Sequence, residues 1–221
     1  AGLGVASIKH DKERYEHKYE YCDLLIAGSG PSGLSSAYAA AKNGAKVILA
    51  EDKPRFGGSL LTSEVSIGNQ SGKEWAENII SELKSMPNVT VKNRSQVFGY
   101  YDHNMMVMFE RTKDHIENPN KFTPRQRLWY IRAKEVIIST GSIERPLVFG
   151  NNDRPGIMLA SAAKEYMKVY GVLVGKKPII FTNNDSGYET AIEFKKNGVD
   201  PLVVDIRENS ESLLAKEAKN L

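Results

Sequence analysis

The chain contains 221 residues, of which 41% are hydrophobic and 26% charged, proportions that exclude a disordered chain and suffice for a buried core. Thirty Lys and Arg against 27 Asp and Glu leave a formal net charge of +3, and the interleaving of both signs predicts no nucleic-acid partner. The single cysteine excludes disulfides within the chain, no stretch approaches the ~18–20 apolar residues of a membrane span, and no signal pattern opens the sequence, so a soluble cytoplasmic protein is expected.

Residues 1–21 are predicted to form an N-terminal lead-in. The stretch His10–Tyr21 is mostly charged, with tyrosines between the charges and no clean period, which favours a solvated arm over a lid on a neighbouring element. The sequence also opens on Ala1 and not on Met, which favours a processed or partial chain.

A first βαβ unit follows, at the start of a domain predicted over residues 22–150. The apolar run 23–27 is typical of a strand buried on both faces of a parallel sheet. An alanine-rich helical pattern continues to Asn43 and stops at Gly44, and a second buried strand over 46–50 ends at Glu51.

The pattern of hydrophobic residues changes in the remainder of this domain. An amphipathic helix is predicted over 73–86 and a third parallel strand over 89–91. Three antiparallel strands are predicted as an insert, and a further buried strand leads into a Thr-Gly turn; their ranges are 97–101, 105–110, 127–132 and 135–139.

The opening pattern returns in the region 151–221, which is predicted to hold a linker helix and a second, truncated βαβ unit. A strand over 178–181 and a helix over 186–197 lead to a strand that ends at Asp205. Glu51 lies 18 residues after Gly33, and Asp205 lies 18 residues after Gly187. This equal spacing indicates that the two units form a diverged internal repeat.

The first unit carries the fingerprint of a dinucleotide-binding, Rossmann-like α/β fold. Gly28 permits a tight turn, Gly30 lets a pyrophosphate approach the backbone, and Gly33 lets the helix pack closely on the strands. Pro31 suits the first helical turn and Ser32 can add a hydroxyl there. The phosphates are expected at the amide groups and positive dipole end of this helix.

The nucleoside half of the ligand is assigned to the end of the second strand. Glu51 is expected to accept hydrogen bonds from the adenosine ribose diol, and its charge disfavours NADP, although Lys53 and Arg55 could hold an additional phosphate. Asp52 and Lys53 are expected to line the ribose, and backbone groups at Val97 to hold the adenine edge.

The glycine pair after this strand is a candidate for the pyrophosphate. Adjacent glycines allow close approach of a ligand to the backbone, so Gly58 and the following Ser59 are placed beside the phosphates. A plain loop turn is the alternative interpretation.

The second unit has lost most of this fingerprint. It keeps Gly187, but Asn184 replaces the glycine of closest approach and Asp185 introduces negative charge where phosphate would lie. Asp205 remains available as a ribose acceptor. An intact second dinucleotide site is therefore not expected.

The sequence presents no catalytic or metal centre. Its four histidines have no metal-ligand spacing, and neither a GxSxG elbow nor a GxxxxGK[ST] loop occurs. Cys22 precedes a buried strand and is interpreted as an inert small hydrophobe. No residue of this chain is assigned a catalytic role.

The layout resembles the two-dinucleotide-binding flavoprotein superfamily, in which a second βαβ unit interrupts the first domain. The resemblance is closer to the alpha subunits of heterotetrameric sarcosine oxidases. It rests on long motifs that cover most of residues 22–206: Gly28–Leu34, Phe56–Leu61, Val97–Asn104, Glu144–Phe149, Asn152–Ala160 and Thr182–Ser186. In the superfamily the turn that matches Thr140 and Gly141 passes near the first dinucleotide.

This resemblance implies an oxidoreductase subunit that binds NAD in the first βαβ site. The beta subunit would carry the amine-oxidising FAD, FMN would lie at the contact of alpha and beta, and gamma and delta subunits would complete the complex. The assembly would demethylate sarcosine oxidatively to glycine and hydrogen peroxide and pass the one-carbon unit to tetrahydrofolate.

The family's alpha subunit is several times longer than this chain. Its preceding N-terminal region and its folate-binding C-terminal half have no counterpart here, so a fragment is expected, with the catalytic residues outside it. Two alternatives stay open: an FAD-binding alpha subunit of a related dye-linked proline or opine dehydrogenase, and a non-catalytic scaffold whose bound nucleotide stabilises a subunit interface.

Overall fold

A computed structural model describes residues 4–208 and 210–220, which form two units. The first runs to Leu60 and resumes at Val65–Gly141, and the second comprises Leu61–Glu64 and the chain from Ser142 onward. The elements in chain order are β1 (Tyr15–Ala27), α1 (Pro31–Lys42), β2 (Val47–Ala50), β3 (Ser66–Ile67), β4 (Gln70–Ser71), α2 (Gly72–Ser85), β5 (Val89–Lys92), β6 (Ser95–Tyr101), β7 (Met105–Arg111), β8 (Gln126–Ile138), α3 (Ala160–Tyr170), β9 (Ile179–Thr182), α4 (Ser186–Lys196), β10 (Leu202–Asp205) and α5 (Leu213–Asn220).

The first unit is built on one six-stranded sheet with the order β5-β2-β1-β8-β7-β6. The strands β5, β2, β1 and β8 are mutually parallel, and β8, β7 and β6 are antiparallel neighbours. The predicted α/β fold, with its parallel sheet and three-stranded antiparallel insert, is confirmed.

Strand β8 joins two strands that the sequence divided. Its first half pairs with both β7 and β1, and its second half continues along β1 to the end of the sheet. The charged residues Arg132, Lys134 and Glu135 interrupt the apolar pattern, which is why the sequence suggested a break. Continuous pairing with β1 keeps the strand regular across that interruption.

Strand β1 begins inside the predicted lead-in. The charged residues from Tyr15 onward pair in register with β8, where Glu16 accepts from Arg127 at 2.9 Å and Tyr19 stacks on Tyr130. These cross-strand pairs satisfy the polar side chains of an extended segment whose local composition resembled a solvated arm.

The sheet of the first unit is covered on both faces. Leu34 and Ala37 of α1 pack with Ile26 and Val47 in one cluster, which also includes residues of α2. The opposite face holds Cys22 in a cluster with residues of β7 and β8. Burial raises the pKa of the Cys22 thiol to about 12, as expected for a thiol that serves only in packing.

Helix α2 has a complete capping box at its N-terminus. The Ser71 hydroxyl accepts a hydrogen bond from the Glu74 amide, and the Glu74 carboxylate accepts from the Ser71 amide. The amide groups at the start of this helix are therefore satisfied by the protein itself.

The second unit contains the predicted repeat. Strands β9 and β10 form a parallel pair, and α4 connects them. Ala163 and Met167 of α3 pack with Ile180 and Phe194 in its core. Within residues 4–208 and 210–220, no helix combines the length and apolar character needed to cross a bilayer.

Candidate functional site

The turn after β1 can be made only with glycine at residue 28. Gly28 has a φ of +99°, and a Cβ there would lie 2.3 Å from the carbonyl oxygen of Ser139. The same Cβ would lie 3.2 Å from Cα of Thr140, so the end of β8 runs directly against this turn. The structure thereby brings the predicted residues Thr140 and Gly141 to the fingerprint loop.

Helix α1 packs on the same turn through Gly33. A Cβ at Gly33 would lie 2.0 Å from the carbonyl oxygen of Gly28, a distance no side chain tolerates. This contact fixes where the helix begins relative to the sheet, as its position in the fingerprint predicted.

The N-terminus of α1 is open. Gly30 is its N-cap residue, and no side chain of the described residues caps the helix there. A Cβ built on Gly30 meets no described heavy atom within 4 Å other than those of its chain neighbours. Pro31 occupies the first helical position, and Ser32 is exposed beside it. Unlike α2, this helix leaves its first amide groups for another acceptor.

The predicted glycine pair lies against this loop. Gly58 has a φ of +53°, and a Cβ there would lie 2.8 Å from Cα of Gly30. The Gly57 amide donates to the Ser29 carbonyl oxygen at 3.0 Å. Gly58 therefore lies next to Gly30, and Ser59, which follows it, is exposed, so their placement beside a pyrophosphate stays a prediction.

The carboxylate of Glu51 is bonded to the fingerprint loop. Its Oε2 accepts from the Ser29 amide at 3.0 Å and from the Ser29 hydroxyl at 2.5 Å, and its Oε1 accepts from the Lys53 amide at 3.0 Å. The residue is 6% exposed. Burial is the main cause that raises the pKa of Glu51 above its usual range, and the neighbouring Asp52 carboxyl adds to it.

These three bonds limit what Glu51 can offer a ligand. A carboxylate has about four lone-pair positions; three of them accept from Ser29 and Lys53, and the Asp52 side chain also hydrogen-bonds to the Glu51 carboxyl group. The ribose contact expected of Glu51 stays a prediction. Ser29, which the sequence did not single out, links Glu51 to the loop, because no spacing rule marks a serine between the first two glycines.

Asp52, Lys53 and Val97 lie around the same strand end. Asp52 and Lys53 are exposed and follow Glu51 directly. The Ser95 amide donates to the Glu51 carbonyl oxygen at 2.7 Å, which places the start of β6 beside the strand. The Val97 side chain packs on the core, so only its backbone could serve a ligand.

The arrangement fits the nucleoside diphosphate part of a dinucleotide, that is, its pyrophosphate and one ribose. The uncapped helix amides and the open position at Gly30 suit the phosphates, and the carboxylate of Glu51 suits a sugar hydroxyl. The hydroxyl oxygen of Ser139, next to Gly28, is buried without a hydrogen-bond partner among the described residues. Within the described part of the chain, no group of three or more His, Cys, Asp or Glu could hold a metal ion.

The equivalent positions of the second unit are bonded among themselves. The Asn184 side-chain oxygen accepts from the Ser186 amide at 2.9 Å, at the start of α4. Arg207 donates to Asp205 and to Asp185, each at 2.7 Å. These bonds to Arg207 lower the pKa of Asp205. The absence of an intact dinucleotide site in this unit stays a prediction.

The chain is similar to flavin-dependent oxidoreductases and to sarcosine oxidase alpha subunits. Residues 23–125 match a family model described as FAD dependent oxidoreductase. The sarcosine oxidase subunit alpha of Rhizobium meliloti (strain 1021) is 45% identical over 204 residues, which are 92% of this chain and 21% of that protein. The subunit of the same name from Corynebacterium sp. (strain U-96) is 37% identical over 218 residues, 98% of this chain and 23% of that protein.

A solved structure shows the same fold. The L-proline dehydrogenase from P. horikoshii superposes with a TM-score of 0.71 at 23% identity, covering 89% of this chain and 38% of that one. The chain spans about a fifth of the length of the curated relatives described above.

Proposed function

On the premise that the chain belongs to the family of sarcosine oxidase alpha subunits, as its 45% identity to one of them shows, we propose that its first unit binds NAD for such an oxidoreductase. The observation that carries this proposal is the uncapped start of α1. Gly30 borders open space, and the Glu51 carboxylate accepts from Ser29 in the loop that precedes the helix.

The residues that would hold the nucleotide follow from the geometry. The pyrophosphate would lie at the amide groups of Ser32 and Gly33, between Gly30 and Gly58. Thr140 and Gly141 would border the ligand from the end of β8, and Glu51 would accept from the ribose. When bound, the nicotinamide would supply hydride-transfer capacity, and this chain's residues bind and orient it.

The reaction belongs to the larger assembly. We propose oxidative demethylation of sarcosine to glycine and hydrogen peroxide, with transfer of the one-carbon unit to tetrahydrofolate. FAD, FMN and the beta, gamma and delta subunits would be needed for it, and the catalytic groups would lie on other parts of the complex. The names of the two sarcosine oxidase relatives support sarcosine as the substrate.

A second candidate ligand is FAD in the same site. The matching family model is described as FAD dependent, and NAD and FAD share the ADP half that this loop would bind. NADP is less compatible, because the charge of Glu51 repels a 2′-phosphate.

Extraction of the nucleotide from the purified full-length alpha subunit distinguishes these ligands. We expect one equivalent of NAD, identified by chromatography and mass spectrometry, and no flavin absorbance from the subunit alone. One equivalent of FAD would replace NAD in the proposal, and absence of any adenine nucleotide, with no binding of added NAD, would overturn it. Bound NAD that is never reduced during turnover would favour a scaffold role.

A further inference from the structure

Ser29 joins three parts of the nucleotide-binding region. The residue is completely buried. Its amide and hydroxyl both donate to the same oxygen of Glu51, at 3.0 and 2.5 Å. Its carbonyl oxygen accepts from the Gly57 amide at 3.0 Å, and its hydroxyl oxygen lies 3.3 Å from the same amide. One serine therefore connects the fingerprint loop, the end of β2 and the glycine-pair loop.

The hydroxyl bond decides which oxygen of Glu51 faces a ligand. Both lone-pair positions of Oε2 are occupied by Ser29, while Oε1 accepts from the Lys53 amide, and the Asp52 side chain also hydrogen-bonds to the Glu51 carboxyl group. A carboxylate held in this way cannot rotate to exchange its oxygens without losing two hydrogen bonds. It presents Oε1 in a fixed direction, and a pre-oriented acceptor loses less entropy when it binds.

We propose that Ser29 is a positioning residue of the nucleotide site, whose hydroxyl keeps the Glu51 carboxylate oriented toward a ribose hydroxyl. The inference rests on the proposed function of the first unit. It assigns to Ser29 an effect on ligand affinity that operates through Glu51.

The charge state of Glu51 connects this geometry to pH. Burial and the Asp52 carboxyl raise the pKa of Glu51, whereas the Ser29 hydroxyl and the amides of Ser29 and Lys53 lower it. Charged residues on adjoining elements include Lys92, whose carbonyl oxygen accepts from the Glu51 amide, Arg94, whose amide donates to the Lys53 carbonyl oxygen, and Arg111, whose guanidinium donates to the Asp52 carbonyl oxygen. Removal of the hydroxyl takes away a bond that favours the ionised carboxylate.

The test measures NAD affinity of the full-length alpha subunit, freed of bound nucleotide, by calorimetry across a pH series. In the wild-type protein, affinity should rise with pH as Glu51 ionises. In Ser29→Ala the dissociation constant at pH 7 should increase roughly 10-fold, the range for a hydrogen bond to a charged group, and the midpoint of the rise should move to higher pH.

Ser95→Ala is the matched control. Ser95 is also buried, but its hydroxyl donates to the Asn93 carbonyl oxygen and does not contact the Glu51 carboxylate. This variant should leave the pH midpoint unchanged. A Ser29→Ala protein that loses affinity equally at every pH would show a merely structural role and overturn the inference.

A double-mutant cycle gives an independent answer. In Glu51→Gln the carboxylate cannot ionise, so the pH dependence should disappear and addition of Ser29→Ala should change affinity less than about twofold. Full additivity of the two changes would contradict the inference. If Ser29→Ala does not fold, NMR titration of the Glu51 carboxyl with and without NAD replaces it, and a carboxyl that NAD leaves unperturbed would overturn it. Failure of the wild-type protein to bind NAD or ADP-ribose would instead refute the proposed function.

Discussion

In the first βαβ unit α1 begins at a glycine whose Cβ position is open, whereas in the second the equivalent Asn184 bonds the first amide of its own helix. The strand-end acids differ in the same way. Glu51 is held by neutral donors and keeps a raised pKa, while Asp205 is paired with Arg207 and has a lowered one. The two βαβ units therefore share one topology, but the start of the helix is open in the first unit and occupied by the unit's own side chains in the second.

The difference shows which parts of the repeat serve folding and which serve a ligand. Both units keep the glycine that packs the helix onto its strand: a Cβ would lie 2.0 Å from the Gly28 carbonyl oxygen at Gly33, and 2.7 Å from the Thr182 side chain at Gly187. Only the first unit keeps the glycine of closest approach. The packing glycine serves folding in both units, and under the proposed function the other glycine serves the ligand.

The largest effect is expected from Gly30→Asn, which converts the first unit toward the second. The new side chain could accept from the Ser32 amide, as Asn184 accepts from the Ser186 amide, and would fill the open space, so NAD affinity should fall roughly 100-fold. Thermal unfolding without nucleotide should change little, because Asn and Gly differ by only a few tenths of a kcal/mol as N-caps.

Calorimetry and a melting curve measure both quantities for this variant. Gly150→Asn is the control, since a Cβ at this exposed glycine meets no described atom within 4 Å. A Gly30→Asn variant that binds NAD with wild-type affinity would contradict the conclusion that the open position at Gly30 distinguishes the first unit from the second.

A smaller effect is expected from the strand-end acids. Glu51→Gln should weaken NAD binding by about 1.5 kcal/mol, because the ribose loses a charged acceptor. Asp205→Asn, the matched change in the second unit, should leave NAD affinity unaltered. Equal losses in equilibrium dialysis of both variants would indicate that the second unit also binds the nucleotide.

The capped N-terminus of α2 is the counterpart of the uncapped N-terminus of α1, and a change there should affect stability and not NAD binding. Ser71→Ala should lower the free energy of unfolding by about 1 kcal/mol, because the Glu74 amide loses its acceptor. NAD affinity should not change. Urea denaturation measures the effect, with Ser85→Ala at the other end of α2 as the control, and a loss of NAD affinity in Ser71→Ala would contradict the assignment of the site to α1.

The smallest effects concern pH, and the units should respond in opposite directions. Lys196 and Lys168 lower the pKa of Glu64, in the second unit, to about 2, so its stabilising contribution is present above the ordinary value of 4.5 and is lost as pH falls below it. The raised pKa of Glu51 means that its contribution is present below 4.5 and is lost as pH rises through that pKa.

Amide exchange of α1 and α4, corrected for its intrinsic pH dependence, tests this opposition. Protection of α4 should decrease in acid, while protection of α1 without nucleotide should not. Glu64→Gln should remove the acid response of α4. If acid reduced the exchange protection of both helices to the same extent, neither Glu51 nor Glu64 would determine the pH dependence of its unit's stability.

The sequence predicted the glycine turn well because each glycine answers a local steric need. Gly28 requires a positive φ, and Gly33 requires contact with a backbone oxygen, and both demands appear in the spacing of the residues. The strands of the second unit were predicted for the same reason, since their apolar runs and flanking turns are local.

Features that depend on distant partners were not predictable. The extension of β1 back to Tyr15 depends on pairing with β8, more than 100 residues away in the chain. The role of Ser29 depends on Glu51, and the closure of the second unit depends on Arg207, which meets Asp185 only after the unit has folded. A pattern in one segment carries no record of such contacts.

Strand β8 runs for thirteen residues from the antiparallel insert to Ile138, and the Ser139 carbonyl oxygen that follows it lies against Gly28. Along this whole length β8 is paired with β1, the strand that leads into the glycine turn. One continuous strand pair therefore sets both where the insert joins the sheet and where the chain closes on Gly28.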